Sequence, residues 1–209
     1  MANLESNKEN KPMNHYEMEL KKACHYKDLL HSCLTDELLA DGLKIARCML
    51  DVWENKMQLF ICGNGGSAAN ALHIANDLIY GIGACGSSQK RAGMNVEALT
   101  ANSGVITCLA NDIGYENIFA YQLECKAKKN DMLLCLSGSG NSANIINAIK
   151  KGNEMGLVTC AILGFSGGEA KQLSRITAHS NCEDMQIAED IQLVLGHICM
   201  KWLSENKPT

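Results

Sequence analysis

Residues 59–80 read LFICGNGGSAANALHIANDLIY, and residues 132–149 read MLLCLSGSGNSANIINAI. Each begins with an apolar run of strand length, turns through glycines, hydroxyls and an asparagine, and opens into an Ala/Asn-containing helix. Runs this short and continuously apolar suit strands covered on both faces, as in a parallel sheet with helices on each side. Three further runs extend the pattern: VEAL (96–99), VTCAIL (158–163) and a weaker RITAH (175–179). Helical spacing falls between the runs, near 67–80, 103–111, 115–127, 141–155 and 185–204. The expected fold class is therefore α/β, a three-layer α/β/α arrangement around a five-stranded parallel sheet. Upstream, apolar residues recur at helical spacing from His15 to Leu34, and Thr35 or Asp36 can cap a second helix to about Lys56. This N-terminal helical pair precedes any strand and is expected to serve assembly. Residues 1–14 read as a disordered leader and 15–209 as one domain.

Composition narrows the function. The chain has 209 residues, 46% hydrophobic and 20% charged, with 18 Gly and only 2 Pro, which fits a single core with many tight turns. Its net charge of −4 comes without a basic stripe, which disfavours nucleic acid as the main ligand. No apolar run approaches the roughly 18–20 residues of a membrane span, and the polar N-terminus does not read as a secretory signal. The 11 cysteines are scattered in apolar surroundings with no C-x-x-C pair. Buried small hydrophobes in a reducing cytoplasm account for them better than disulfides or a thiolate metal site.

In open α/β sheets ligands bind at the carboxyl ends of strands, where helix N-termini present free N–H groups to anions. Both glycine turns sit at such ends, and Ser67, Ser137, Ser139 and Ser142 add hydroxyl donors. Both also match G-x-G-x-x-A. Yet the following strands end in Thr100-Ala101-Asn102 and Gly164-Phe165-Ser166, without the carboxylate a nucleotide ribose needs. No Lys follows either cluster, so a P-loop is excluded and no nucleotide cofactor is expected. Neutral hydroxyls and amides suit a phosphomonoester that must bind and leave, and a sugar phosphate fits. In the Gly/Ser-rich stretch 81–95, Lys90 and Arg91 are candidates to close over that phosphate.

These two segments, with TANSGVITCLANDIGYENIF (100–119), resemble the sugar isomerase (SIS) domain, and more narrowly the phosphoheptose isomerases. The similarity spans roughly residues 35–205. It implies a flavodoxin-like sheet, a homotetramer with sites between subunits, and aldose–ketose isomerisation of sedoheptulose 7-phosphate through an enediol. It further implies a phosphate cradled by Ser137, Gly138, Ser139 and Ser142, with Asn64, Gly65, Gly66 and Ser67 near the sugar. The same domain is similar to non-catalytic relatives, an adaptor that binds the replication initiator and phosphosugar sensors, and to isomerases of other sugar phosphates.

Isomerisation between adjacent carbons needs a base at carbon and an acid or electrophile at the carbonyl. His73 and Asp77 are i, i+4 on one helix face; Glu189 and His197 are eight residues and about 80° apart on the last helix. Asp190, seven residues from His197, competes with Glu189 for the site. The resemblance implies that Asp77, Glu189 and His197 carry the catalysis, and that His73, Asp77, Glu189 and His197 can hold zinc. The chain departs from the family at Asp77 (Glu), Glu189 (Gln), Ala101 (Asp) and Gln186 (Asp), while the serine loop is intact.

Overall fold

The computed structural model describes residues 14–83 and 92–208. Two helices, α1 (His15–Cys33) and α2 (Asp36–Glu54), precede β1 (Gln58–Cys62). Then come α3 (Gly66–Asn76), a π-turn (Asp77–Gly81), β2 (Asn95–Ala98), α4 (Ser103–Ile113), a 3₁₀ turn (Tyr115–Asn117) and α5 (Ile118–Lys126). The chain ends with β3 (Met132–Ser137), α6 (Ala143–Met155), β4 (Val158–Leu163), α7 (Gly168–Leu173), β5 (Ile176–His179) and α8 (Met185–Glu205). All strands are parallel, in the order β2-β1-β3-β4-β5. Direction of winding reverses between β1 and β3, so the crevice at their carboxyl ends is the switch point where ligands bind. Both glycine turns leave the sheet there.

Strand residues alternate between two apolar layers. Leu59, Ile61, Met132, Leu134 and Leu136 face α2, α3 and α8, among Ile45, Met49, Ile74, Ile191 and Leu195. Phe60, Cys62, Leu133, Cys135 and Leu163 face α5 and α6, among Phe119, Leu123, Ile145 and Ile149. Because both faces are covered, both parities of each strand must be apolar, and alternation disappears from the sequence.

Local signals set several boundaries. Thr35 caps α2 by accepting from Leu38 N–H at 3.3 Å. Asn14, placed by the sequence in the leader, caps α1 in a reciprocal box with Glu17, at 2.9 and 2.8 Å. The rest of the expected leader, and Lys90 and Arg91, lie outside the described residues. The helix expected over 67–80 widens its bonding from i+4 to i+5 at Asp77, whose carbonyl accepts from Ile82 N–H at 3.1 Å. That shift releases the Leu78 carbonyl to accept from Met94 N–H at 2.9 Å, tying the turn to the lead-in of β2. Helix α7 was not anticipated; it is one and a half turns long and too short for a periodic signal. Cys24, Cys108 and Cys125 are exposed, against the expectation of buried thiols, while Cys62, Cys135, Cys160, Cys182 and Cys199 are buried. Helix α1 has no buried residue: Leu29, Leu30 and Cys33 of its last turns rest against the core, while Tyr16, Met18 and Leu20 are exposed.

Candidate active site

The serine turn is built by its own side chains. Ser137, buried at the end of β3, accepts from Gly140 N–H at 3.0 Å, and Ser139 accepts from Asn141 N–H at 3.2 Å. Gly140 takes φ +68° with its α-carbon against the Gly167 carbonyl, an approach only glycine permits. Ser142 stands at the N-cap of α6 with its side chain making no cap bond, so its hydroxyl and the first-turn N–H groups remain available to an anion. Asn64, Ser67, Ser137, Gly138, Ser139, Ser142, Met185 and Glu189 line a cleft of about 100 Å³. No cation lines it.

The first glycine turn faces this cleft. Gly65 caps α3 at φ +54°, and the helix has no side-chain cap. In its place the Glu189 carboxylate lies over the first turn, so close to Gly66 that a β-carbon there would overlap both oxygens. A carboxylate at a helix N-terminus is electrostatically favoured. Asn64 and Asn144 exchange amide hydrogen bonds at 2.9 and 2.8 Å, and Tyr115 Oη donates to Asn64 Oδ1 at 2.9 Å. This network locks the two turns together; Asn144 and Tyr115 carry no motif that would have singled them out.

Further along the facing helices α3 and α8 is a second group. His73 Nε2 and His197 Nε2 are 2.9 Å apart with the rings edge to face, and Asp77 Oδ2 lies 3.4 and 3.6 Å from them. Donor atoms of these three residues all lie within 4.8 Å of one another. Tetrahedral zinc with ligands at about 2.0–2.1 Å separates its donors by about 3.3–3.4 Å. The carboxylate distances already match, and the imidazoles need to part by only about half an ångström. Two imidazoles and a carboxylate therefore fit a divalent metal, with a coordination position left open.

Glu189, expected in the same ligand set, stands apart from that group, two turns of α8 before His197 and in the serine cleft. Asp190 points elsewhere: its carboxylate accepts from Tyr26 Oη of α1 at 2.6 Å. That bond and the negative charge push the Tyr26 phenol up to about 12. Ala101 is exposed in the turn before α4, and Gln186 is exposed in the first turn of α8; neither lines the cleft.

An anion cleft of serines and helix N-termini at the switch point, with imidazoles and carboxylates beside it, defines a sugar-phosphate-handling α/β protein. The SIS domain matches residues 26–164. A phosphoheptose isomerase of Helicobacter pylori (strain P12) is 33% identical over 181 residues, covering 85% of this chain and 90% of that one. One from Akkermansia muciniphila is 34% identical over 163 residues, covering 77% and 82%. The solved phosphoheptose isomerase GmhA of Neisseria gonorrhoeae superposes with a TM-score of 0.80 at 25% identity, covering 90% of this chain and 99% of that one. The chain belongs to the SIS-domain family, among its phosphoheptose isomerases.

Proposed function

We propose that the protein interconverts sedoheptulose 7-phosphate and D-glycero-D-manno-heptose 7-phosphate. One observation carries the reading. Ser67 and Glu189, which line the serine cleft, and the His–Asp–His group lie on the same pair of facing helices, six residues apart on α3 and eight on α8. At about 1.5 Å rise per residue that is about 9–12 Å. An extended seven-carbon chain with its phosphate spans about 10 Å, at about 1.2 Å per backbone bond. Phosphate on Ser137, Gly138, Ser139, Ser142 and the α6 N-terminus thus lets the sugar run along the two helices, with its reacting carbons between Glu189 and the histidines.

The separation of Glu189 from the His–Asp–His group divides the work. His73, Asp77 and His197 would hold the metal, for which zinc is our choice because it accepts both nitrogen and oxygen donors. When bound, that ion polarises the carbonyl and hydroxyl oxygens of the sugar. An Asp77 committed to a metal is not a free base, whereas Glu189 is a carboxylate outside the group. Glu189 takes the proton from C1 of the ketose, its electron pair forms the C1–C2 double bond of an enediol, and the carbonyl oxygen on C2 takes up a proton. Loss of the O1 proton then makes the C1 carbonyl while Glu189 returns its proton to C2. The proton that O1 loses passes to O2 through a water molecule, since His197, like Asp77, would be committed to the metal. Asn64, Gly65, Gly66 and Ser67 border the sugar.

The cleft is small for a whole ligand, below the roughly 300 Å³ of a complete pocket. Leu72, Ile79 and Tyr80, near His73 in sequence, are exposed. Both facts support a homotetramer whose sites close at subunit contacts, testable by light scattering on the purified protein. No helix among the described residues is long and apolar enough to cross a membrane. We place the activity in the cytoplasm, where a phosphorylated sugar is retained.

Proton NMR of the protein with sedoheptulose 7-phosphate in deuterated water tests the assignment. Aldose anomeric signals with deuterium at C2, abolished in Glu189→Gln, are expected. Absence of both conversion and exchange in the zinc-loaded protein would refute it.

A further inference from the structure

Between the serine cleft and the histidine pair, α3 and α8 present two amides that the chemistry above leaves without a role. Asn70 Nδ2 donates to the Glu189 main-chain carbonyl at 2.9 Å and to Gln192 Oε1 at 3.2 Å. Gln192 is 1% exposed, yet its Nε2 has no hydrogen-bond partner. A buried amide donor without a partner costs free energy that an apolar side chain of the same shape would not. For stability alone, then, glutamine is a poor choice at this position.

Its surroundings suggest what it does. Among the described residues, the polar side-chain links between α3 and α8 are the Asn70 bonds and the histidine pair. Apart from the Glu189 carboxylate over Gly66, the rest of that contact is apolar, with Ile74 packed tightly against Gly196. Apolar packing sets the distance between two helices but resists sliding along their axes only weakly, whereas directed hydrogen bonds fix the register. Asn70 is bonded to the peptide of Glu189 itself, one turn before His73. Gln192 lies one turn after Glu189 and holds the second Asn70 proton, so the Asn70 amide cannot rotate away.

We propose that Asn70 and Gln192 form a positioning pair that fixes Glu189 in register with the His–Asp–His group. The pair stabilises one placement of the carboxylate along α3 at the expense of an unpaired donor. Its kinetic consequence rests on the isomerase reading, since a base serving two adjacent carbons tolerates little displacement. A shift of about 1 Å in such a group costs up to about 100-fold in rate.

Gln192→Met removes the acceptor and the orphaned N–H while conserving shape. We expect kcat to fall about 10- to 100-fold with KM within about threefold and an unchanged or raised Tm. Asn70→Ala should give a similar loss, and the double variant no greater loss than either single one, because both break one unit. A purely structural role would instead lower Tm and leave kcat alone. A kcat within twofold of the parent in Gln192→Met, or losses that add in the double variant, would overturn the pair. Should the parent itself fail to turn over the sugar phosphate, the isomerase reading falls, and hydrogen exchange then judges the pair. Faster exchange across residues 189–197 in both single variants supports it; unchanged exchange there refutes it.

Discussion

Replacing Gly66 by alanine separates catalysis from stability at one atom. The new β-carbon would stand 2.5 Å from Glu189 Oε1, whereas ordinary contact begins near 3.4 Å. Backbone on α3 is held by the helix, and Glu189 ends in a flexible carboxylate, so the carboxylate yields and retreats by about 1 Å. A displacement of that size at a proton-transferring group costs about 100-fold in kcat. Folding is little affected. Gly66 is the first residue of α3, where alanine gains less than the ~1 kcal/mol of a helix interior, and the retreating carboxylate gives up a similar N-terminal attraction. In a chain of this length Tm should stay within about 2 °C. Steady-state isomerase kinetics and a thermal melt on the same preparation give both numbers. Gly65→Ala is the control: its β-carbon meets nothing within 4 Å, but φ is +54°. It should lose about 1–3 kcal/mol of stability through backbone strain and keep most of its kcat at low temperature. A Gly66→Ala enzyme with kcat within threefold of the parent would refute the placement of Glu189 as the base.

Four further outcomes follow from the same geometry. Ser137→Ala removes the acceptor of Gly140 N–H and loosens the turn, so KM for the sugar phosphate should rise about tenfold, about 1.4 kcal/mol of binding, read from initial rates. Asn144→Ala breaks both amide bonds to Asn64 at a residue 2% exposed; a loss of about 1–3 kcal/mol in urea unfolding is expected, with a higher KM. His197→Ala or Asp77→Ala should weaken zinc binding at least tenfold by calorimetry, while Glu189→Gln, outside the group, should leave it within about threefold. The Tyr26 phenol, raised from 10.0 to about 12 by Asp190, is stabilised in its protonated form by folding. That contribution is complete below pH 10 and disappears as pH rises toward 12. Tyr26→Phe should abolish this alkaline sensitivity of unfolding and remove the late step from an ultraviolet tyrosine titration.

Much of the architecture was legible in residue order because local signals agreed with it. The apolar runs at 59–62, 132–136 and 158–163 are strands, and Thr35 caps α2. Both glycine turns lie where a strand must hand over to a helix. Where signals were short or local bonding shifted, the reading missed: α7 spans six residues, and the π-turn at Asp77 depends on Met94 N–H arriving from a distant segment. The i, i+4 spacing of His73 and Asp77 foretold their shared face, but the 2.9 Å approach of His197 required α8 to cross α3.

By itself, then, the sequence determined what is written in period and spacing: a parallel sheet with two-sided strands, paired glycine–serine turns, and a set of ionisable side chains on two helices. These follow from steric and hydrogen-bonding rules acting over a few residues. Tertiary structure alone decided which of two neighbouring carboxylates faces the cleft. Glu189 lies over Gly66 of α3, while Asp190 is drawn to Tyr26 of α1. Adjacent helical residues differ by about 100° in direction, so a small rotation of α8 exchanges them. That rotation is set by Asn70, Ile74 and Tyr26 meeting α8 from elsewhere in the chain, which no spacing within α8 encodes.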